Sequence, residues 1–204
     1  MNIKMKKLIK ISQIQFQAAA TPNENCSQLE SFFKKTLKFK PDIICTPECS
    51  NIITNDKKHL FKYASYQKNC PILKMSKDFA KKNKVFINIG SLLLKINKHQ
   101  KLVNRSFLIN PYGKVQTYYD KIHMFDVKIN KNEIHKESDS FRPGNKIKIT
   151  KIKNVLFGFT ICYDLRFPKL FRDLSKKGVV IILMPAAFTV PTGKDHWEIL
   201  VRAR

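Results

Sequence analysis

Cys162 ends the apolar run Asn154 to Cys162 and is followed by Tyr163-Asp164-Leu165-Arg166-Phe167-Pro168, which places a thiol on a strand-to-helix turn. A thiol there can act as a nucleophile in a cleft, with backbone N–H groups of the turn aimed at the same space. A buried structural cysteine fits the position equally well. Glu48 closes a second short apolar run, Asp42-Ile43-Ile44-Cys45, after Thr46-Pro47. A carboxylate at the end of a buried strand is costly unless something pairs with it or uses it, so a capping or salt-bridged glutamate is the alternative to a functional one. Lys121 stands in Tyr118-Tyr119-Asp120-Lys121-Ile122-His123-Met124-Phe125, whose aromatic side chains predict partial desolvation of its ammonium. In so lysine-rich a chain, a surface role is the alternative.

The order of the motifs says more than any one of them. Thr46-Pro47-Glu48, Asp120-Lys121-Ile122-His123, Glu137-Ser138 with Pro143-Gly144, Cys162 to Pro168, Pro185 to Gly193, and His196-Trp197-Glu198 with Arg202-Ala203-Arg204 follow one another along the chain. This series resembles the nitrilase (carbon–nitrogen hydrolase) superfamily, and within it the Nit branch of ω-amidases and deaminated-glutathione amidases. The resemblance implies an α/β fold, the αββα sandwich, and a Glu-Lys-Cys triad. It makes Cys162 the nucleophile that forms a thioester and Glu48 the general base. Lys121, with the backbone N–H of Tyr163, becomes the oxyanion stabiliser, and Glu137 supports Lys121. It implies a small-molecule amide substrate such as an ω-amide of a 2-oxo acid, no metal or cofactor, and a homo-oligomer if the chain is complete. Nitrile and N-carbamoyl substrates use the same triad and remain alternatives. A papain-like site would instead pair Cys162 with His123 or His196. Arg166 is read as a structural partner of Asp164 or of another carboxylate, while Phe188 and Thr189 occupy a usual place for pocket residues after a strand. Lys169 stands where the family carries glutamate, so a cation opposes the helix dipole there.

The elements that must position these residues alternate between strand and helix. Lys7 to Phe16 alternates apolar and polar residues as a strand does. Thr21-Pro22-Asn23-Glu24 has the signs of a capped helix start, with a capping box. The helix is expected over Pro22 to Lys38, burying Leu29, Phe32, Phe33 and Leu37. Asp42 to Cys45 reads as a buried strand, Ile72 to Asn83 as helix, and Val85 to Ile96 and Leu102 to Ile109 as strands around an Asn97 to Lys101 turn. Val115 to Tyr119 continues the sheet after Pro111-Tyr112-Gly113-Lys114. Asp126 to Gly144 reads as a long surface loop. Asn154 to Cys162 is the most apolar strand candidate. A helix from Pro168 to Lys177 is closed by Gly178, Val179 to Met184 is another buried strand, and a last helix is expected near Asp195. Alternation of this kind predicts one α/β domain over residues 1–204.

Composition narrows the function classes. The 204 residues include 39 Lys+Arg and 15 Asp+Glu, a net charge of +24, yet 43% are hydrophobic and 11% aromatic, enough to build a core. The charge invites a nucleic-acid-binding reading. Only Arg105, Arg142, Arg166, Arg172, Arg202 and Arg204 are arginines, however, and the lysines are scattered as a solvated surface would scatter them. Nucleic acid is therefore not the expected partner, and a basic binding protein without catalysis is the alternative to an enzyme. Lysines interrupt every apolar stretch, so no membrane span is expected, and the basic Met1 to Lys10 leads into no signal-type core. The odd set Cys26, Cys45, Cys49, Cys70 and Cys162 fits reduced thiols and a cytoplasmic protein. Cys45 and Cys49 have no second pair to complete a zinc site, and His59 is isolated. The chain stops in the last helix where related proteins continue, so its C-terminal portion is expected to be missing and the isolated chain to fold poorly.

Overall fold

The computed structural model describes residues 8–96, 100–128 and 134–204. Lys7 of the first expected strand, residues 97–99 of the expected turn and residues 129–133 of the expected loop lie outside the described residues.

The first sheet is assembled from β1 (Ile11–Gln13), β2 (Ile43–Cys45), β4 (Phe86–Lys95), β5 (Leu102–Ile109) and β6 (Val115–Asp120), in that order, with β3 (Ser65–Tyr66) also on β4. β1, β2 and β4 are parallel, whereas β4, β5 and β6 form an antiparallel meander. A second sheet has the order β11 (Ile181–Leu183), β10 (Val155–Phe159), β9 (Ile149–Ile152). A separate hairpin pairs β7 (Asp126–Lys128) with β8 (Ile134–Lys136).

Side-chain alternation turns these sheets into four layers. Ile44, Ile87, Phe107 and Ile109 pack with Leu29 and Phe33 of α1 (Pro22–Thr36) and with Ile72 and Phe79 of α3 (Pro71–Asn83). Their neighbours Ile43 and Leu108 point the other way, against Phe157, Phe159 and Leu183 of the second sheet. On the outer face of that sheet, Leu170, Phe171 and Leu174 of α4 (Pro168–Lys176) pack with Val179 and Ile182. The order helix, sheet, sheet, helix is the αββα sandwich. Gly158 makes the last contact close, since a Cβ there would sit 2.9 Å from Leu174 Cδ2.

Several boundaries differ from expectation for physical reasons. Helix α1 starts at Pro22 as expected, but no side-chain cap forms at Thr21, whose hydroxyl lies 3.5 Å from Glu24 Oε2. The buried Asn25 ties down the entry instead, accepting from the Ala19 N–H and donating to the carbonyls of Ala19 and Asn51. The helix tightens to a 3-10 turn at Leu37–Phe39 before left-handed Lys40. Helix α2 (Lys57–Tyr63) was not expected; Asp56 caps it through Lys58 and His59 N–H groups. The Asp126 to Gly144 segment is not a plain loop, since it contains the β7–β8 hairpin and a 3-10 turn at Glu137–Asp139. β9 was not expected, because it is four residues long and buries only Ile152. Helix α5 (Val190–Arg202) starts at Val190 rather than near Asp195, with Pro191 in its first turn. Among the described residues no helix is long and apolar enough to cross a membrane.

Candidate active site

Cys162 lies where β10 gives way to a 3-10 helix, Cys162–Arg166, and its φ of 47° is left-handed. For a side chain with a Cβ this backbone is strained by about 1–3 kcal/mol and persists only where the surroundings over-determine it. Here the Cys162 N–H donates to the Pro185 carbonyl (2.8 Å), tying the turn to the end of β11. The following amide, of Tyr163, lies in the first helical turn, where N–H groups have no acceptor within the helix.

Glu48 reaches the same place from the other sheet. The turn after β2 sits directly on Gly90 of β4: a Cβ at Gly90 would lie 2.1 Å from the Thr46 carbonyl oxygen, so only glycine admits the turn. Thr46 Oγ1 accepts from the Gly90 N–H (3.0 Å), and Ser50 bonds the Pro47 carbonyl, which makes the turn rigid. The Glu48 carboxylate is buried. Its Oε1 accepts from Asn104 Nδ2 (2.9 Å) and Lys121 Nζ (3.2 Å), and its Oε2 accepts from the Ala187 N–H (2.9 Å).

Lys121 follows β6 and is almost wholly buried, more than its aromatic neighbours alone suggested. Its ammonium bridges Glu48 and Glu137, lying 3.1 Å and 2.9 Å from the two oxygens of the latter. Glu137 is held in turn by the Phe125 N–H, 2.7 Å from Oε2. The backbone of Lys121 is fixed by Asn104 and by Gly144, whose N–H donates to the Lys121 carbonyl (2.7 Å). Thus Glu48, Lys121, Glu137 and Cys162 converge from distant parts of the chain into one cluster.

The electrostatics separate the thiol from the ammonium. Burial pushes the Cys162 thiol well above its ordinary value, and the hydrogen-bonded Glu48 carboxylate adds to this, while Lys121 and the Ala187 amide oppose it. The resting group is therefore a neutral thiol hydrogen-bonded to Glu48. Burial alone would lower the Lys121 pKa, but the Glu48 and Glu137 carboxylates outweigh it and hold the ammonium charged. A neutral nucleophile, an adjacent carboxylate and a fixed cation can transfer a proton and stabilise a new oxyanion in one place.

The histidines are occupied elsewhere. His123 Nδ1 is 2.7 Å from Asp164 Oδ1, and His196 Nδ1 is 3.2 Å from the Arg166 guanidinium. Arg166 thus lies on His196 and over the Tyr163 ring rather than on Asp164. Phe125 meets Tyr163 edge-on at 5.1 Å, Phe188 meets Trp197 of α5 at the same centroid distance, and Phe188 packs against the core cluster that contains Cys162. Lys169 escapes its unfavourable helix position by pairing with Asp173 (2.6 Å). His59 Nε2 lies 2.8 Å from the Ala20 carbonyl oxygen, away from Cys45 and Cys49. Sequence reasoning missed Asn104, which touches both glutamates; the signal was a polar Asn inside the buried strand Leu102–Ile109. It also missed the Ala187 amide, which no side-chain motif can reveal.

Residues 9–204 match the carbon-nitrogen hydrolase family. The chain is 34% identical over 198 residues to a deaminated glutathione amidase of Yersinia enterocolitica, covering 95% of this chain and 68% of that protein. It is 29% identical to the omega-amidase NIT3 of Saccharomyces cerevisiae, covering 98% and 70%. The crystal structure of Saccharomyces cerevisiae Nit3, a member of branch 10 of the nitrilase superfamily, superposes with a TM-score of 0.83 at 27% identity, over 96% of this chain and 70% of that one. Across four curated relatives the chain spans 60% to 72% of their length.

Proposed function

Because the chain belongs to the carbon-nitrogen hydrolase family, we propose that it cleaves a small aliphatic carboxamide to carboxylate and ammonia through a thioester on Cys162. One observation carries this reading: the buried cluster in which the Cys162 thiol meets Glu48 while Lys121 is clamped between Glu48 and Glu137.

In this reading Glu48 takes the thiol proton as sulfur attacks the carbonyl carbon, and the carbonyl electrons move onto oxygen. The Lys121 ammonium and the Tyr163 N–H stabilise that oxyanion. Collapse of the intermediate breaks the C–N bond, and the proton on Glu48 goes to the departing ammonia. Water then gives its proton to Glu48 and attacks the thioester. The second intermediate releases the carboxylate, and the proton returns to sulfur. Glu137 keeps Lys121 charged and in place throughout. The raised thiol pKa supports this order of events, because a neutral resting thiol needs a base within reach at the moment of attack.

The names of the relatives favour an ω-amide of a 2-oxo acid, such as deaminated glutathione or 2-oxoglutaramate. The net charge of +24 would draw such anions toward the protein. The five free cysteines fit a reducing compartment, and a cytoplasmic location is part of the proposal. So is a homo-oligomer for the complete chain. The test measures ammonia release from both 2-oxo ω-amides, with a nitrile and an N-carbamoyl amino acid alongside, and RNA and DNA binding against salt. Ammonia from the ω-amides alone is expected. Tight, salt-sensitive nucleic-acid binding with no turnover would reverse the reading.

A further inference from the structure

One carboxylate that takes no part in the proposed chemistry connects the two halves of the site. Asp164 is fully buried two residues past Cys162. Its Oδ2 accepts from the Ile161 N–H (2.8 Å) and the Tyr119 hydroxyl (2.7 Å), and its Oδ1 meets the His123 N–H (3.0 Å) and Nδ1 (2.7 Å). Because a carboxylate only accepts, His123 Nδ1 carries the proton in this contact. The donors come from both sides of the site. Ile161 leads directly into the left-handed Cys162, and Tyr119 and His123 flank Lys121 at two residues on either side. The His123 ring is also stacked on Phe167, at 3.6 Å and 10°, beyond the far end of the thiol-bearing turn.

We infer that Asp164 is a positioning residue: its carboxylate locks the Cys162 turn to the Lys121 loop and so fixes the attacking sulfur relative to the ammonium. The inference rests on the amidase reading for its kinetic consequence, but its geometric content is independent of the substrate. Holding the sheets together would not require a carboxylate here, since burying one without a Lys or Arg partner is costly and an apolar contact would serve. Its four acceptor contacts fix direction as well as distance, and the strained Cys162 backbone requires that. Catalysis is sensitive to such placement, a misplacement of about 1 Å costing on the order of 10²-fold.

The test uses Asp164→Asn and Tyr119→Phe. Asparagine has the aspartate's shape, but whichever way its amide points, its NH2 must oppose either the Ile161 or the His123 backbone N–H. The kcat and KM are measured on the amide that the wild type turns over, with active sites counted by the thioester burst and folding followed by thermal melts. Expected is a fall in kcat per active site of about 10²-fold in Asp164→Asn with KM nearly unchanged. Tyr119→Phe, which loses one donor, should fall about three- to tenfold. A merely structural role would lower the melting temperature and the number of active sites but leave kcat per site near wild type, and that result overturns the inference. If Asp164→Asn does not fold, an unchanged kcat in Tyr119→Phe overturns it. A wild type inactive on every amide sinks the amidase reading alone. The crystal structure of Asp164→Asn then decides: Cys162 should leave the left-handed region or Lys121 should shift from Glu48, and an unmoved site refutes the positioning role.

Discussion

Replacing Glu48 by Gln removes one charge from the cluster and nearly nothing from its volume, so it separates the base from the packing. The groups facing the carboxylate are donors: Lys121 and Asn104 at Oε1, the Ala187 N–H at Oε2, and the Cys162 thiol. An amide NH2 at either position meets donors, and a buried donor left without an acceptor costs about 1–3 kcal/mol. Some stability is therefore lost, but Lys121 keeps Glu137 as a counter-ion and the fold should persist. Losing the general base should lower the acylation rate by about 10²–10⁴-fold. The thiol should respond in the opposite sense. Glu48 is the second largest cause, after burial, of the raised Cys162 pKa, and Lys121 opposes it. Without the carboxylate the thiol should ionise at lower pH, giving more thiolate at neutral pH while amide turnover collapses. The assay pairs ammonia release with the pH dependence of iodoacetamide alkylation of Cys162, the other thiols being counted by peptide mapping. An alkylation profile moving to higher pH, or turnover within about tenfold of wild type, would refute the assignment of Glu48 as base.

Other perturbations probe the parts separately. Lys121→Ala should lower kcat by about 10²–10³-fold, as loss of an oxyanion donor does, and destabilise the protein by about 3–5 kcal/mol by leaving the buried Glu48 carboxylate, and the part-buried one of Glu137, without their cation. Steady-state kinetics and urea melts measure both. Gly90→Ala, whose Cβ would meet the Thr46 carbonyl oxygen at 2.1 Å, should displace the Glu48 turn and cost about 1–3 kcal/mol, read as a lower melting temperature together with lost turnover. Stability should also decline at alkaline pH. Burial pushes the Cys45 thiol up to about 12 and raises Cys49, Cys70 and Cys162 as well. A thiol whose folded pKa is raised stays protonated while its unfolded counterpart ionises, so folding weakens as pH climbs past about 8.5, by up to about 1.4 kcal/mol per pH unit per thiol. Thermal melts between pH 7.5 and 10 should therefore show a falling midpoint, and Cys45→Ala should flatten the fall.

What could be read from the sequence, and what could not, follows from where the information sits. Leu102–Ile109 was placed to the residue, and Pro22 and Pro168 begin helices as expected, because dense apolar runs and prolines act locally. Helix α2 and strand β9 escaped because their apolar residues are few, so packing and a side-chain cap decide them. At the site, Glu48, Lys121, Glu137 and Cys162 were legible as a series of motifs whose meeting place the chain order alone does not give. Asp164 was legible only as part of the Cys162 motif, and Asn104 only as a polar interruption of a strand. What each contributes depends on a partner at least 41 residues away, whether Tyr119 and His123 for the first or Glu48 for the second. The residues proposed for bond making thus have recognisable types at recognisable places, whereas those proposed to aim them are defined by contacts between distant segments, across the two sheets for Asp164 and along the first sheet for Asn104. An Asp or Asn carries no mark of such a role until those segments are packed. It follows that changes in the aiming residues should alter kcat through geometry, and the size of their effects should track how many cross-sheet donors each change disrupts, with Asp164→Asn above Tyr119→Phe.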